Sequence, residues 1–143
     1  MVVTESRPHR PGDRSPGRLF QIKRGARVAI VGAPLVREDE LRAHAVIVDD
    51  VETAEVVIVV LHRLADLPIR IATIASACDR DALTWIVYPK HGGVRGSDLR
   101  RDELKSELEP LGIKQIRQIG LDDDWTAVRY RSIRNVRARK SWP

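Results

Sequence analysis

The residues best suited to chemistry in this 143-residue chain stand where apolar runs end. Thr84–Gly93, TWIVYPKHGG, carries an apolar strand into Pro89 and Lys90 and then into Gly92 and Gly93. Pro89 confines Tyr88 to extended backbone, which fixes where the strand stops. Lys90 then projects from the carboxyl edge of a sheet, the edge at which open α/β sheets bind ligands. His91 lies beside it, an imidazole of the kind that changes charge near neutral pH, and Arg95, Arg100 and Arg101 follow. The chemistry on offer is electrostatic: recognition of an anion by cations and flexible backbone. Lys90, His91, Gly92 and Gly93 are therefore ligand-binding candidates. The plain alternative is a solvated basic loop ahead of a helix.

A second cluster is Asp122–Arg131, DDDWTAVRYR. Strand alternation puts Trp125, Arg129 and Arg131 on one face, where an indole and two guanidinium groups could stack or pair. Trp125 and Arg129 join the candidates, with Asp124 as an ion-pair partner. Three consecutive aspartates rarely point at one ion, so Asp122–Asp124 reads as a polar turn and no metal site is assigned.

A third place is the end of the first strand. A Rossmann-type cofactor site needs several glycines so that backbone N–H groups can approach the ligand. Here there is only Gly32, and Pro34 removes an N–H. Asp49, seventeen residues after Gly32, matches a ribose-binding acid in position. Gly32 and Asp49 are thus the candidates for S-adenosylmethionine or a nucleotide, although no cofactor is required by the sequence. No Ser-His-Asp or Cys-His arrangement is present, His9, His44 and His62 have no evident partners, and no catalytic residue is assigned. The one cysteine, Cys78, sits in an apolar run as a structural thiol and leaves no internal disulfide.

The elements that must position these residues follow from periodicity. Met1–Gly17, with Pro8, Pro11 and Pro16, cannot bury enough apolar surface to offset its ordering entropy and is expected to be disordered. Arg18–Lys23 is a short helix or turn. Buried strands are expected at 26–32, 45–48, 56–61 and 83–88, with VVIVVL at the sheet centre. The link between the second and third is too short for a helical crossover, so either one turn crosses the sheet end or that pair is antiparallel. Leu67, Ile71, Ile74 and Cys78 form a helical stripe starting near Pro68. A helix capped by Ser97 runs to about Leu111 and closes at Gly112. Ile113–Ile119 and Trp125–Arg131 form a closing hairpin. Residues 134–143 read as a basic tail.

The expected fold class is therefore α/β: a compact doubly wound, mostly parallel, Rossmann-like and methyltransferase-like sheet ending in an antiparallel hairpin. One domain spans 18–133, between two basic tails. Hydrophobic residues make up 43%, so a core is available, but aromatics at 4% leave it aliphatic. No apolar run approaches a membrane span, and Met1–Gly17 lacks the apolar segment of a secretory signal. A cytoplasmic protein is expected. The net charge of +5 is segregated: +5 in 1–27, −6 in 28–128 and +6 in 129–143. Such ends could contact nucleic acid.

With these residues in view, the chain resembles domain-of-unknown-function family 3052, a family of short bacterial proteins. Three blocks carry the likeness: SPGRLFQIKRGARVAIVGAP (Ser15–Pro34), LTWIVYPK (Leu83–Lys90) with DLRRDELKSELEPLGI (Asp98–Ile113), and DDDWTAVRYR. The sequence departs from the family at CDRDAL (Cys78–Leu83), where members tend towards a Pro-Gly-Gly-like turn. The resemblance implies a shortened methyltransferase-type sheet and carries over no catalytic residue.

Three functions follow as expectations. The first is a non-catalytic or degenerate binding or accessory module for an anionic ligand or protein partner. The second is a small S-adenosylmethionine-dependent methyltransferase, and the third a nucleic-acid accessory protein using its basic ends.

Overall fold

The computed structural model describes residues 15–32, 34–90 and 98–140. Six strands form one sheet: β1 (Arg27–Gly32), β2 (Val46–Ile47), β3 (Val56–Val60), β4 (Leu83–Pro89), β5 (Ile113–Gly120) and β6 (Trp125–Ser132). Their order is β2-β1-β3-β4-β6-β5. β2, β1, β3 and β4 are parallel neighbours, while β6 runs antiparallel to both β4 and β5. This is a doubly wound, Rossmann-like sheet whose last strand inserts between the fourth and fifth, as in the methyltransferase-like variant.

The helices are α1 (Pro16–Leu19), α2 (Glu38–Arg42), α3 (Ile71–Asp79), α4 (Arg101–Leu108) and α5 (Ile133–Lys140). At the sheet centre β3 is apolar at every position and β4 at all but Thr84, because both faces of the sheet are covered. Ala29, Val57, Val59, Ile86, Tyr88, Val128 and Tyr130 face α3 and α4, meeting Ile74, Ala77, Leu104 and Leu108. The alternate residues Val28, Val56, Ile58, Trp85, Val87 and Ala127 face the other way, onto Phe20, Leu35 and Leu41. All of β3 is buried, as expected of the sheet centre. Trp85 anchors the second layer: its Nε1–H donates to the Phe20 carbonyl at 3.1 Å, and the Phe20 ring meets its edge at 5.4 Å.

The short link after β2 resolves in favour of a turn across the sheet end. β2 pairs only Val46 with Arg27 and Ile47 with Val28, and β3 begins opposite that same Val28. The chain thus leaves β2 at nearly the level where β3 starts. A single 3-10 turn, Val51–Thr53, capped by the Asp50 carboxylate, completes the crossover.

Three boundaries differ from the sequence reading. Pro16 and Gly17 belong to α1 and are buried, because a proline suits the first helical turn and Gly17 lies against the His44 ring, where a Cβ would stand 2.5 Å from Cδ2. His44 in turn donates Nε2–H to the Ile22 carbonyl at 2.6 Å, so it holds the α1 segment. α4 starts at Arg101, and the expected cap, Ser97, lies outside the described residues. Residues 133–140 are helical rather than an aperiodic tail. Arg134 fastens α5 to α3, its guanidinium bonding the Asp79 carboxylate at 2.9 Å. No helix among the described residues is long and apolar enough to cross a membrane.

Candidate functional site

Lys90 leaves the carboxyl end of β4 with its backbone N–H bonded to the Asp124 carbonyl at 2.7 Å. Its side chain passes over Gly120, where even a Cβ would stand 3.5 Å from Nζ. Lys90 lines a groove of ≈ 460 Å³ with Tyr88, Arg100, Arg101, Gln118 and Thr126. Four elements supply it: β4, β5, β6 and the start of α4.

The walls are tied together by hydrogen bonds. Arg101 donates to Gln118 Oε1 at 3.0 Å, and Gln118 Nε2 donates to Thr126 Oγ1 at 3.3 Å. The Thr126 hydroxyl in turn donates to the Ile119 carbonyl at 2.8 Å. Gln115 donates to the Arg101 carbonyl and to the Tyr130 hydroxyl, both at 2.9 Å. This network fixes the first turn of α4 against the hairpin, so the groove is held in shape before any ligand arrives.

Burial pushes the Tyr88 phenol up to about 12, with Arg101 pulling the other way and Asp102 adding to the rise. Burial also raises the Tyr130 phenol, against the Gln115 bond. Both phenols stay protonated at neutral pH, so they serve as hydrogen-bonding groups and not as bases. Among its described lining residues, three cations stand with one acid, Asp102, which suits the groove to an anion.

Sequence reasoning named Lys90, Arg100 and Arg101, and the structure brings these three together. His91, Gly92, Gly93 and Arg95 lie outside the described residues. Trp125 and Arg129 do not join Lys90. Along β4 the even positions face α3 and α4, and Lys90 continues that parity. Trp125 stands opposite Pro89 and Arg129 opposite Trp85, so both point to the other face of the sheet. Trp125 is buried there, edge-on to the His62 ring at 5.5 Å. Arg129 reaches Gln21 at 3.3 Å. Arg131 is bidentate to Asp81 at 2.9 Å through both nitrogens rather than pairing with Asp124. Tyr88, Gln118 and Thr126 were missed, although Tyr88–Thr126 register and strand parity are the signals that would have found them.

Gly32 and Asp49 do share a cleft, of ≈ 600 Å³, with Pro34, Glu38, Arg42 and Val51. The glycine answers to the sheet: it sits at φ +101, and a Cβ would overlap the Val60 carbonyl oxygen. The turn after it is also occupied. The Glu38 carboxylate accepts from Leu35 N–H at 3.2 Å and pairs with Arg42 at 2.7 Å. Asp49 lines the cleft, while the turn offers a carboxylate where a cofactor's anionic or carboxylate end would need donors. These residues do not fit such a cofactor as a set.

Asp122 Oδ1 accepts from the N–H groups of Asp124 and Trp125, both at 2.8 Å, the geometry of a polar turn. Among the described residues no group of three His, Cys, Asp or Glu could hold a metal ion. Cys78 is buried, and burial raises its thiol to about 11.

No family model matches this chain, and no curated protein matches it. Among solved structures it is similar to a fibrillarin pre-rRNA processing protein of Methanococcus jannaschii, at 13% identity and a TM-score of 0.42, covering 77% of this chain and 68% of that one. It is also similar to a Streptococcus agalactiae protein of the NADB-Rossmann superfamily, at 9% identity and a TM-score of 0.43, covering 86% and 71%.

Proposed function

We propose that the chain is a non-catalytic or degenerate Rossmann-like module that binds a small anionic ligand in the Lys90 groove. The observation that carries this reading is the convergence of Lys90, Arg100 and Arg101 on one preformed groove at the carboxyl edge of β4. The hydrogen-bonded Gln118 and Thr126 supply orientation, and the phenol of Tyr88 adds a donor that does not ionise at neutral pH. We also place the chain in domain-of-unknown-function family 3052 on the three sequence blocks given above.

The alternative, a small S-adenosylmethionine-dependent methyltransferase, has in its favour that Gly32 and Asp49 line one cleft, and against it the Glu38 carboxylate that holds the turn. One calorimetric titration separates the two. Inorganic pyrophosphate should bind the wild type, and Lys90→Ala should weaken it by about 10- to 100-fold, the loss of one charge-assisted contact. Absence of pyrophosphate binding, or an unchanged Kd in the variant, rejects the anion groove. Binding of S-adenosylmethionine that Asp49→Asn abolishes would put the methyltransferase reading first.

A further inference from the structure

The groove at the end of β4 holds two kinds of polar group. Arg101, Gln118 and Thr126 are engaged with one another and with the Ile119 carbonyl. The Lys90 ammonium, the Tyr88 hydroxyl and the Asp102 carboxylate line the same groove, and none of the three has a side-chain hydrogen bond or ion pair among the described residues.

Tyr88 points most directly to a ligand. It is only 2% exposed, its ring packed in the layer beneath α3 and α4. A phenol so placed normally finds a partner for its O–H. Here the hydroxyl meets the groove instead, near enough to Arg101 and Asp102 for both to act on it. Burial keeps it protonated at neutral pH, so it presents a neutral donor and acceptor alongside charged groups.

Asp102 narrows the chemistry. A bare anion drawn in by Lys90 is repelled by a carboxylate in the same groove. A carboxylate only accepts, so it suits a ligand that also carries a donor. An ammonium in that role would stand among Lys90, Arg100 and Arg101, whereas a hydroxyl donates without that repulsion. The anionic end is better matched by a phosphate monoester, close to a dianion at neutral pH, than by the single charge of a carboxylate. A volume of ≈ 460 Å³ leaves room for a body beyond the phosphate. That body is not a nucleobase, because Tyr88, the one aromatic residue among the described lining, is buried and offers no face for stacking.

We infer that the ligand of the Lys90 groove is a sugar phosphate, its phosphate held by Lys90 and Arg101 and its hydroxyls by Asp102 and Tyr88. The assignment rests on the groove being an anion site, as proposed above.

The test is calorimetric titration of the full chain with ribose 5-phosphate, inorganic phosphate and pyrophosphate. Ribose 5-phosphate should bind at least about tenfold tighter than inorganic phosphate, through hydrogen bonds to a charged acceptor. Asp102→Asn should weaken ribose 5-phosphate by about tenfold, yet leave pyrophosphate binding unchanged or tighter, because a repelling charge is gone. Tyr88→Phe keeps the buried ring and removes a hydroxyl with no partner among the described residues. Its melting temperature should hold while ribose 5-phosphate binds more weakly. No binding of pyrophosphate by the wild type rejects the anion groove itself, and the inference with it. Pyrophosphate binding without a preference for ribose 5-phosphate over inorganic phosphate overturns the sugar-phosphate assignment and leaves the anion groove standing. So does an Asp102→Asn variant that treats ribose 5-phosphate and pyrophosphate alike. Tighter binding of O-phosphoethanolamine than of ribose 5-phosphate would give Asp102 an ammonium and overturn the assignment equally.

Discussion

Gly32→Ala is the substitution whose effect the structure fixes most directly. Gly32 ends β1 at φ +101, opposite Val60, and an added Cβ would overlap the Val60 carbonyl oxygen. Gly25 offers an internal control. It has φ +82, and no described heavy atom lies within 4 Å of its Cβ position. Both alanine variants carry the cost of a left-handed backbone, about 1–2 kcal/mol. Only Gly32→Ala must also displace a backbone atom of β3, a strand buried at every position. Overpacking of that kind adds about 1–3 kcal/mol. Gly32→Ala should therefore destabilise by about 3 kcal/mol and Gly25→Ala by about 1 kcal/mol. With a urea slope of about 2 kcal/mol per molar, their unfolding midpoints should differ by about 1 M. Equal midpoints would refute the assignment of Gly32 to the β1–β3 contact and return it to the cofactor cleft.

Two further outcomes follow from titratable groups. Cys78, raised to about 11 by burial, should be about one part in a thousand thiolate at pH 8, so a thiol reagent should label it only once denaturant is added. Rapid labelling of the native protein would contradict its burial. Asp81 is held below its usual range, first by its bonds to Arg131. Its contribution is present above the unfolded carboxyl value and is lost as pH falls through the lowered folded value. Asp81→Asn keeps a residue tolerant of the positive φ found there and should lower stability by up to about 1 kcal/mol at pH 7, a figure limited by the exposure of the carboxylate. The gap between wild type and variant should begin to close below about pH 4 and narrow further as the pH falls, and a gap that does not change with acidification would refute the ion-pair account.

The parallel part of the sheet was legible in the sequence because its strands are apolar runs bounded by breakers, and the closing hairpin because its residues partly alternate. Val56–Val60 and Leu83–Pro89 needed no tertiary information. α5 was not legible: within Ile133–Lys140 only Ile133, Val136 and Ala138 are apolar, and the helix is fastened by Arg134 reaching Asp79, a partner 55 residues away. Pro16 and Gly17 resembled the preceding Pro- and Arg-rich stretch in composition, and Gly17 packs against His44, 27 residues away in sequence. The candidate site divided along the same line. Lys90 followed from the end of a strand. The side of the sheet on which Trp125 and Arg129 stand required the register that sets Trp125 against Pro89, a pairing that strand alternation alone leaves open.

The insertion of β6 between β4 and β5 also divides the molecule into two halves, each with its own cleft. The Gly32 cleft lies wholly within the parallel half, made by β1, β2, α2 and the turns beside them. The Lys90 groove has no floor until the hairpin has docked, since Gln118 and Thr126 come from β5 and β6. An anion held there would clamp the hairpin to β4 and slow amide exchange along Trp125–Ser132, leaving β1 unaffected. Occupancy of the groove is thus coupled to closure of the sheet, so the last seam of the fold is also the place where a ligand would reinforce it.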